Sequence, residues 1–193
     1  MKAILMSDRA YWCMLMMNKK KTVEVRKGTA LYKATQKLID EYGFAEFYVY
    51  CTKDKSDKET LKFMRGRYGC MKNYDPYGKV IFKFRCYNVE EIGMWNYSEY
   101  GTKTLMEDSL CIYSCLDYFE LKNYIKEKPS TAIHISDLEI FDKPKELSEF
   151  RKIGKYCKYQ GRDTYCDYCS HCDCIGDELT KAPQSYMFIE TGE

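Results

Sequence analysis

The sequence predicts an α+β domain built on a small, strongly curved sheet, and three observations lead there. Five or six short apolar or alternating segments read as strands, two or three segments carry helical periodicity, and long polar stretches lie between them. A chain of 193 residues fits one domain, taken as residues 1–193 with a cysteine-rich insertion over 154–182. Strands of this number and length can close into a barrel, which leaves no edge to protect.

The elements follow in order. Lys2 to Met6 is a short apolar strand, and Asp8 is placed to cap a helix from about Arg9 to Asn18. Tyr11, Trp12, Leu15 and Met16 share one face of that helix and are read as core. A strand at Thr22 to Arg26 comes next, then a short helix around Ala34 to Glu41. Phe44 to Thr52, rich in aromatic and β-branched residues, is expected to be a central strand. Lys53 to Tyr77 carries Gly66, Gly69 and Pro76 and reads as a long surface loop.

Lys79 to Val89 alternates most clearly: Val80, Phe82, Phe84 and Cys86 on one face, Ile81, Lys83, Arg85 and Tyr87 on the other. Ser98 to Ser109 is polar and read as loop. Ser114 followed by Asp117 marks a helix start, and Leu116, Phe119, Tyr124 and Ile125 carry that helix to about Lys126, before Pro129. Thr131 to Phe141 alternates as a strand, but Ile133 and Ile135 have one parity and Leu138 and Ile140 the other. The slip at Ser136-Asp137 predicts a β-bulge. Pro144 opens a short helix to Phe150, and Ser185 to Glu190 closes the chain as a strand.

At 45% hydrophobic and 31% charged the chain is globular rather than disordered. Its net charge is +2, so a nucleic-acid footprint would have to be local. No apolar run approaches the roughly 20 residues of a membrane helix, and the opening Ala3-Ile4-Leu5-Met6 is too short for a signal peptide. A cytoplasmic, reducing location is therefore expected, with the 11 cysteines acting as thiols or metal ligands rather than as a disulfide framework.

The most informative stretch is Lys19 to Lys27. Side chains alternate along a strand, so Val23 and Val25 point into a core while Thr22, Glu24 and Arg26 stand in a row on the other face, with Lys21 at the entrance. Such a set could grip a small polar ligand or a nucleotide; the alternative is a solvated strand face with a charge pair.

Cys157, Cys166, Cys169, Cys172 and Cys174 fall close together, with His171 among them. The C-x-x-C spacing of Cys166 and Cys169 suits two thiolates on one tetrahedral Zn²⁺. Cys157 supplies a third, and Cys174, Cys172 or His171 closes the set. The surrounding polar segment has little apolar material of its own, so one zinc would staple it. Elemental analysis of protein purified without chelator is expected to find near one equivalent of zinc; a metal-free chain still ordered over 154–182 would overturn this. Cys13, Cys51, Cys70, Cys86, Cys111 and Cys115 are expected to be small core hydrophobes. His134, on a strand, is expected to be a structural hydrogen-bonder. Arg65-Gly66-Arg67-Tyr68-Gly69 lacks the context of a phosphate loop, and no G-x-S-x-G elbow occurs.

With these segments in place the chain resembles the ASCH domains, relatives of the PUA and EVE modules. The resemblance rests on Lys2-Ala-Ile-Leu-Met-Ser7, the first helix, Lys20-Lys-Thr-Val-Glu-Val-Arg-Lys27, Phe47-Tyr-Val-Tyr-Cys-Thr52, Gly78-Lys-Val-Ile81 and His134-Ile-Ser-Asp-Leu138. Lys143 to Phe150 and Ala182 to Glu190 resemble the subset encoded by phages and mobile elements of gut bacteria. The resemblance implies a PUA-like β-barrel with flanking helices and a cleft lined by the first helix, the Lys-Thr-x-Glu-x-Arg strand and a neighbouring strand. In related domains that cleft takes RNA or a modified base. Some small members are amidohydrolases acting on N4-acetylcytidine through a lysine, matched here by Lys21, and a threonine, whose position is occupied here by Glu24. Arg9-Ala10 stands where the family usually has Lys-Pro.

Three functions follow as expectations. The first is a module binding single-stranded RNA or DNA, or a modified nucleoside: Lys21 and Arg26 hold phosphate or a carbonyl edge, Thr22 adds a hydroxyl, Glu24 accepts from an exocyclic amine, and Trp12 or Tyr186 stacks. The second is an amidohydrolase or ribonuclease with Lys21 and Glu24 as catalytic candidates. The third is a phage inhibitor that binds a host defence protein in the host cytoplasm.

Overall fold

The computed structural model describes residues 1–53, 60, 62, 66, 75–93, 108–126, 128–153 and 178–191. Its strands form two sheets. A six-stranded sheet runs in the order β7 (Ser136–Lys145), β4 (Lys79–Cys86), β3 (Ala45–Cys51), β1 (Lys2–Asp8), β9 (Tyr186–Glu190) and β8 (Arg151–Lys152), and a three-stranded one in the order β2 (Val23–Lys27), β6 (Ser130–His134) and β5 (Val89–Ile92). The ladders are thus not one continuous barrel wall among the described residues.

Strand β1 (Lys2–Asp8) lies between β3 (Ala45–Cys51), to which it is parallel, and β9 (Tyr186–Glu190), to which it is antiparallel. Both its faces are covered, which is why it reads as an unbroken apolar run. Ile4 and Met6 pack into the main core with Ala10, Cys13, Leu31 and Leu38, whereas Ala3 and Leu5 join Tyr48, Phe141 and Phe150 on the far side of the sheet. β3 is central, as expected.

Helix α1 (Ala10–Met17) is shorter than the segment anticipated. Asp8 is the last residue of β1 rather than the helix cap; Arg9 takes the N-cap position without a side-chain cap hydrogen bond. Leu15 and Met16 are buried as expected, Trp12 is half-buried, and Tyr11 is exposed. The buried set is instead Ala10, Cys13, Leu15, Met16 and Met17, because a nearly all-apolar helix is packed on more than one side.

β2 (Val23–Lys27) pairs antiparallel with β6 (Ser130–His134). Helix α2 (Ala30–Tyr42) begins four residues before the expected start. Leu31, Thr35 and Leu38 form its buried stripe, and Gly43 closes it at φ +81°, the left-handed conformation that glycine adopts without a Cβ clash.

The long strand expected over Lys79 to Val89 is two strands, β4 (Lys79–Cys86) and β5 (Val89–Ile92), in different sheets. β5 pairs with β6, and β4 pairs with β7 (Ser136–Lys145). The two chains form one antiparallel ribbon that breaks at Tyr87-Asn88 and at Ile135 and passes from the small sheet into the large one. The bulge anticipated at Ser136-Asp137 is present at this corner. Arg85 pairs with Ser136 but Lys83 with Glu139, so two steps on β4 face three on β7, and Asp137 takes φ +46°. Pro144 lies within β7 and opens no helix. β7 is an edge strand, where a missing N–H costs no ladder bond. The helical turn follows as a 3₁₀ segment, Leu147–Glu149, before β8 (Arg151–Lys152).

Two short helices lie between β5 and β6. α3 (Asp108–Ser114) includes Ser109 and its preceding residue, read from sequence as loop. α4 (Tyr118–Ile125) is capped by Asp117, whose side chain accepts from Glu120 N while Glu120 answers from the third helical position. The box therefore starts at Asp117, not Ser114. Leu121 and Ile125 of α4 cover Val23, Val25 and Ala132, whereas Phe119 is exposed. No helix among the described residues is long and apolar enough to cross a membrane.

Candidate functional site

Packing Val23 and Val25 under α4 turns the opposite face of β2 toward the C-terminal end of β1 and the start of α1. Glu24 is the hub. Its Oε2 lies 3.2 Å from Lys21 Nζ and its Oε1 2.7 Å from Arg26 Nε. Arg26 Nη2 reaches on to Asp8 Oδ2 at 3.1 Å and donates to Ser7 O at 3.0 Å. Lys21 Nζ donates to Ser114 O at 2.7 Å, at the C-terminus of α3, where carbonyls lack helical partners and attract a cation. The side chains of Lys21, Glu24, Arg26 and Asp8 are 3%, 7%, 13% and 8% exposed. This is a buried chain of alternating charge, not a solvated strand face.

The chain of charges forms part of the wall of an open cavity of about 710 Å³, which Trp12, Arg9, Thr52, Asn123, Tyr124 and Gln184 also line. Lys21 Nζ stands 4.9 Å from the centre of the Trp12 ring, and Tyr11 meets Trp12 edge-on at 5.0 Å. One face of the indole is thus taken by a cation, and a ligand ring would have to stack on the other.

Burial, and then the neighbouring Glu24 carboxylate, push the Asp8 carboxyl up to about 7, against the opposing pull of Arg26, the Arg9 backbone N–H and Lys21. Arg26 loses hydration, but Glu24 and Asp8 outweigh that loss and hold it more firmly protonated than usual. Tyr124 is shifted upward by burial.

Of the residues singled out from sequence, Lys21, Glu24, Arg26 and Trp12 share this cavity. Thr22 does not line it. Its backbone is spent on Tyr113 O and Ile135 N, tying β2 to its neighbours. Tyr186 does not line it either: it pairs with Met6 across β9 and β1 and packs on the main core. Asp8 was missed as a site residue because, before a helical pattern, an aspartate reads as a cap. Lys21 and Arg26 were expected to hold phosphate, yet both are already engaged by carboxylates and backbone carbonyls.

His134 meets Glu90 at 3.1 Å, the structural role expected of it. Cys13, Cys51 and Cys86 are buried as expected, whereas Cys111 and Cys115 are only partly covered; Cys70 lies outside the described residues. So do Cys157, Cys166, Cys169, His171, Cys172 and Cys174 of the zinc reading. Among the described residues no group of three His, Cys, Asp or Glu is arranged to hold a metal.

No family model matches the chain, and no curated protein does. Among solved structures, the N-terminal domain of Staphylothermus marinus McrB is similar over 76% of this chain and 77% of that one, at 9% identity and a TM-score of 0.39.

Proposed function

We propose that the chain is a PUA-like module of ASCH type whose cleft binds a nucleobase, offered by single-stranded RNA or DNA or as a modified nucleoside. The observation that supports this is one cavity in which an aromatic ring, Trp12, adjoins donors and acceptors fixed in place by a buried ion-pair chain. At about 710 Å³ it falls within the size range of small-molecule sites. A base lifted out of its stack presents a flat apolar face to the ring and a donor–acceptor edge to the polar groups. Gln184, Asn123 and Thr52 add neutral hydrogen-bonding side chains that suit such an edge.

Calorimetric titration with short single-stranded RNA and DNA and with free nucleosides tests the reading. Binding is expected to favour unpaired over duplex strands, and Trp12→Ala is expected to weaken it by about 1–3 kcal/mol, the scale of one base–aromatic stack. A chain that binds none of these probes at low salt would refute the reading.

A second reading, an amidohydrolase or ribonuclease, draws support from Asp8. A carboxyl titrating at about 7 beside the cleft is suited to carry a proton to or from a reacting group. That reading requires multiple turnovers of N4-acetylcytidine or RNA, lost in Asp8→Asn and in Glu24→Gln. The zinc site and the host-defence partner rest on sequence patterns alone.

A further inference from the structure

The buried charges of the cleft largely offset one another. Lys21 and Arg26 contribute two positive charges, Glu24 one negative charge, and Asp8, whose carboxyl titrates at about 7, part of a second. Each cation is already held by two kinds of acceptor: Arg26 by Glu24, Asp8 and Ser7 O, Lys21 by Glu24 and Ser114 O. A phosphate carried inward would have to compete for these contacts and stand beside the carboxyl groups of Glu24 and Asp8, whose side chains are only 7% and 8% exposed.

The cation at the mouth is different. Arg9 lines the same cavity, is exposed, and makes no ion pair with any described residue. Its backbone is anchored at the rim, because its N–H donates to Asp8 Oδ1 at 2.8 Å. Glu120, an acid that also lines the cavity, is committed to the cap of α4 through Asp117 N at 2.9 Å.

We propose that the cleft admits the uncharged part of a nucleotide, its base and sugar, and leaves the adjoining phosphate outside on the guanidinium of Arg9. This rests on the reading of the cleft as a nucleobase site and divides the labour within it. The charge chain sets the hydrogen-bonding edge, and a planar fork of N–H donors takes the phosphate at the rim, a geometry that matches two phosphate oxygens at once.

The test compares the four common ribonucleosides with their 5′- and 3′-monophosphates, titrated into the full chain at low and high salt. For the nucleoside that binds best, one of its monophosphates is expected to bind about tenfold more tightly, the scale of a charge-assisted hydrogen bond. That gain should fade as salt rises, whereas nucleoside binding should not. Arg9→Ala should bring the monophosphate down to the level of the nucleoside, and Arg9→Lys should restore part of the gain. Nucleosides that bind while phosphate adds nothing, or a gain that survives in Arg9→Ala, would overturn the inference and leave the nucleobase reading standing. Binding of neither nucleosides nor nucleotides would overturn the inference, and the nucleobase reading falls with it if short single-stranded RNA and DNA also fail to bind.

Discussion

Glu24→Ala is expected to lower the stability of the chain by about 3–5 kcal/mol, the scale for removing one partner from a buried charge pair. The loss is large because one carboxylate serves two cations. Lys21 and Arg26 lie 3.2 and 2.7 Å from its two oxygens, with side chains only 3% and 13% exposed. Arg26 retains Asp8 and the Ser7 carbonyl, whereas Lys21 keeps the Ser114 carbonyl and the Trp12 ring but no carboxylate. In a chain of this length the change corresponds to a drop of roughly 6–20 °C in melting temperature. Glu24→Gln keeps the shape and one acceptor oxygen and should cost less. Adding Lys21→Met to Glu24→Ala should recover part of the loss, since it removes a stranded charge. Chemical denaturation measures all four chains. If Glu24→Ala falls within about 0.5 kcal/mol of the parent, the range of ordinary surface substitutions, the charge chain is not buried in solution.

The second large effect concerns acidity. Asp8 titrates at about 7 in the folded chain, against 3.8 for an unperturbed aspartate. Between these values the folded state holds a proton that the unfolded state has released, so stability falls as pH rises through this window. The favourable contribution is complete below pH 3.8 and gone above about 7; at 1.36 kcal/mol per pKa unit its full span is roughly 4 kcal/mol. Burial is the main cause; of the neighbouring groups, Glu24 also favours the protonated acid, and Arg26, the Arg9 amide and Lys21 oppose it. Asp8→Asn stays neutral at every pH and should lack this dependence. The difference in unfolding free energy between parent and Asp8→Asn, measured at pH 5 and pH 8, isolates the residue, because other titrating groups are common to both. A difference that does not change between those pH values, or an Asp8 carboxyl that titrates near 4 by NMR, would show that the site is wetter than its geometry implies.

Much of this architecture is legible in local patterns. β3, β4 and β9 stand out by apolar content or alternation. The bulge at Ser136-Asp137 shows as a parity slip, because one extra residue flips every later side chain. The failures were of another kind. At Tyr87-Asn88 the apolar face of Val80, Phe82, Phe84 and Cys86 ends and Val89 has the opposite parity, but nothing local says that the strand changes sheets there. Pro144 was read as a helix start because its tolerance in an edge strand depends on which neighbour is missing. α3 went unnoticed because seven residues carry too few turns to show a period.

By itself the sequence determined that Glu24 and Arg26 share one face of β2 and that Val23 and Val25 take the other, because a strand's period of two is enforced by its own backbone. It also placed the start of α4 within a few residues, at Ser114 rather than Asp117, and marked Lys2 to Met6 as a short apolar strand. Only the tertiary structure decided that the polar face of β2 is covered. Asp8 and Arg26, 18 positions apart, meet because β2 turns its polar face to the end of β1. Lys21 finds the carbonyl of Ser114 across 93 positions, where α3 ends. These contacts convert a row of charges that would sit harmlessly in water into a desolvated, mutually dependent set. Desolvation is a property of what surrounds a group, and no local pattern of residues records it.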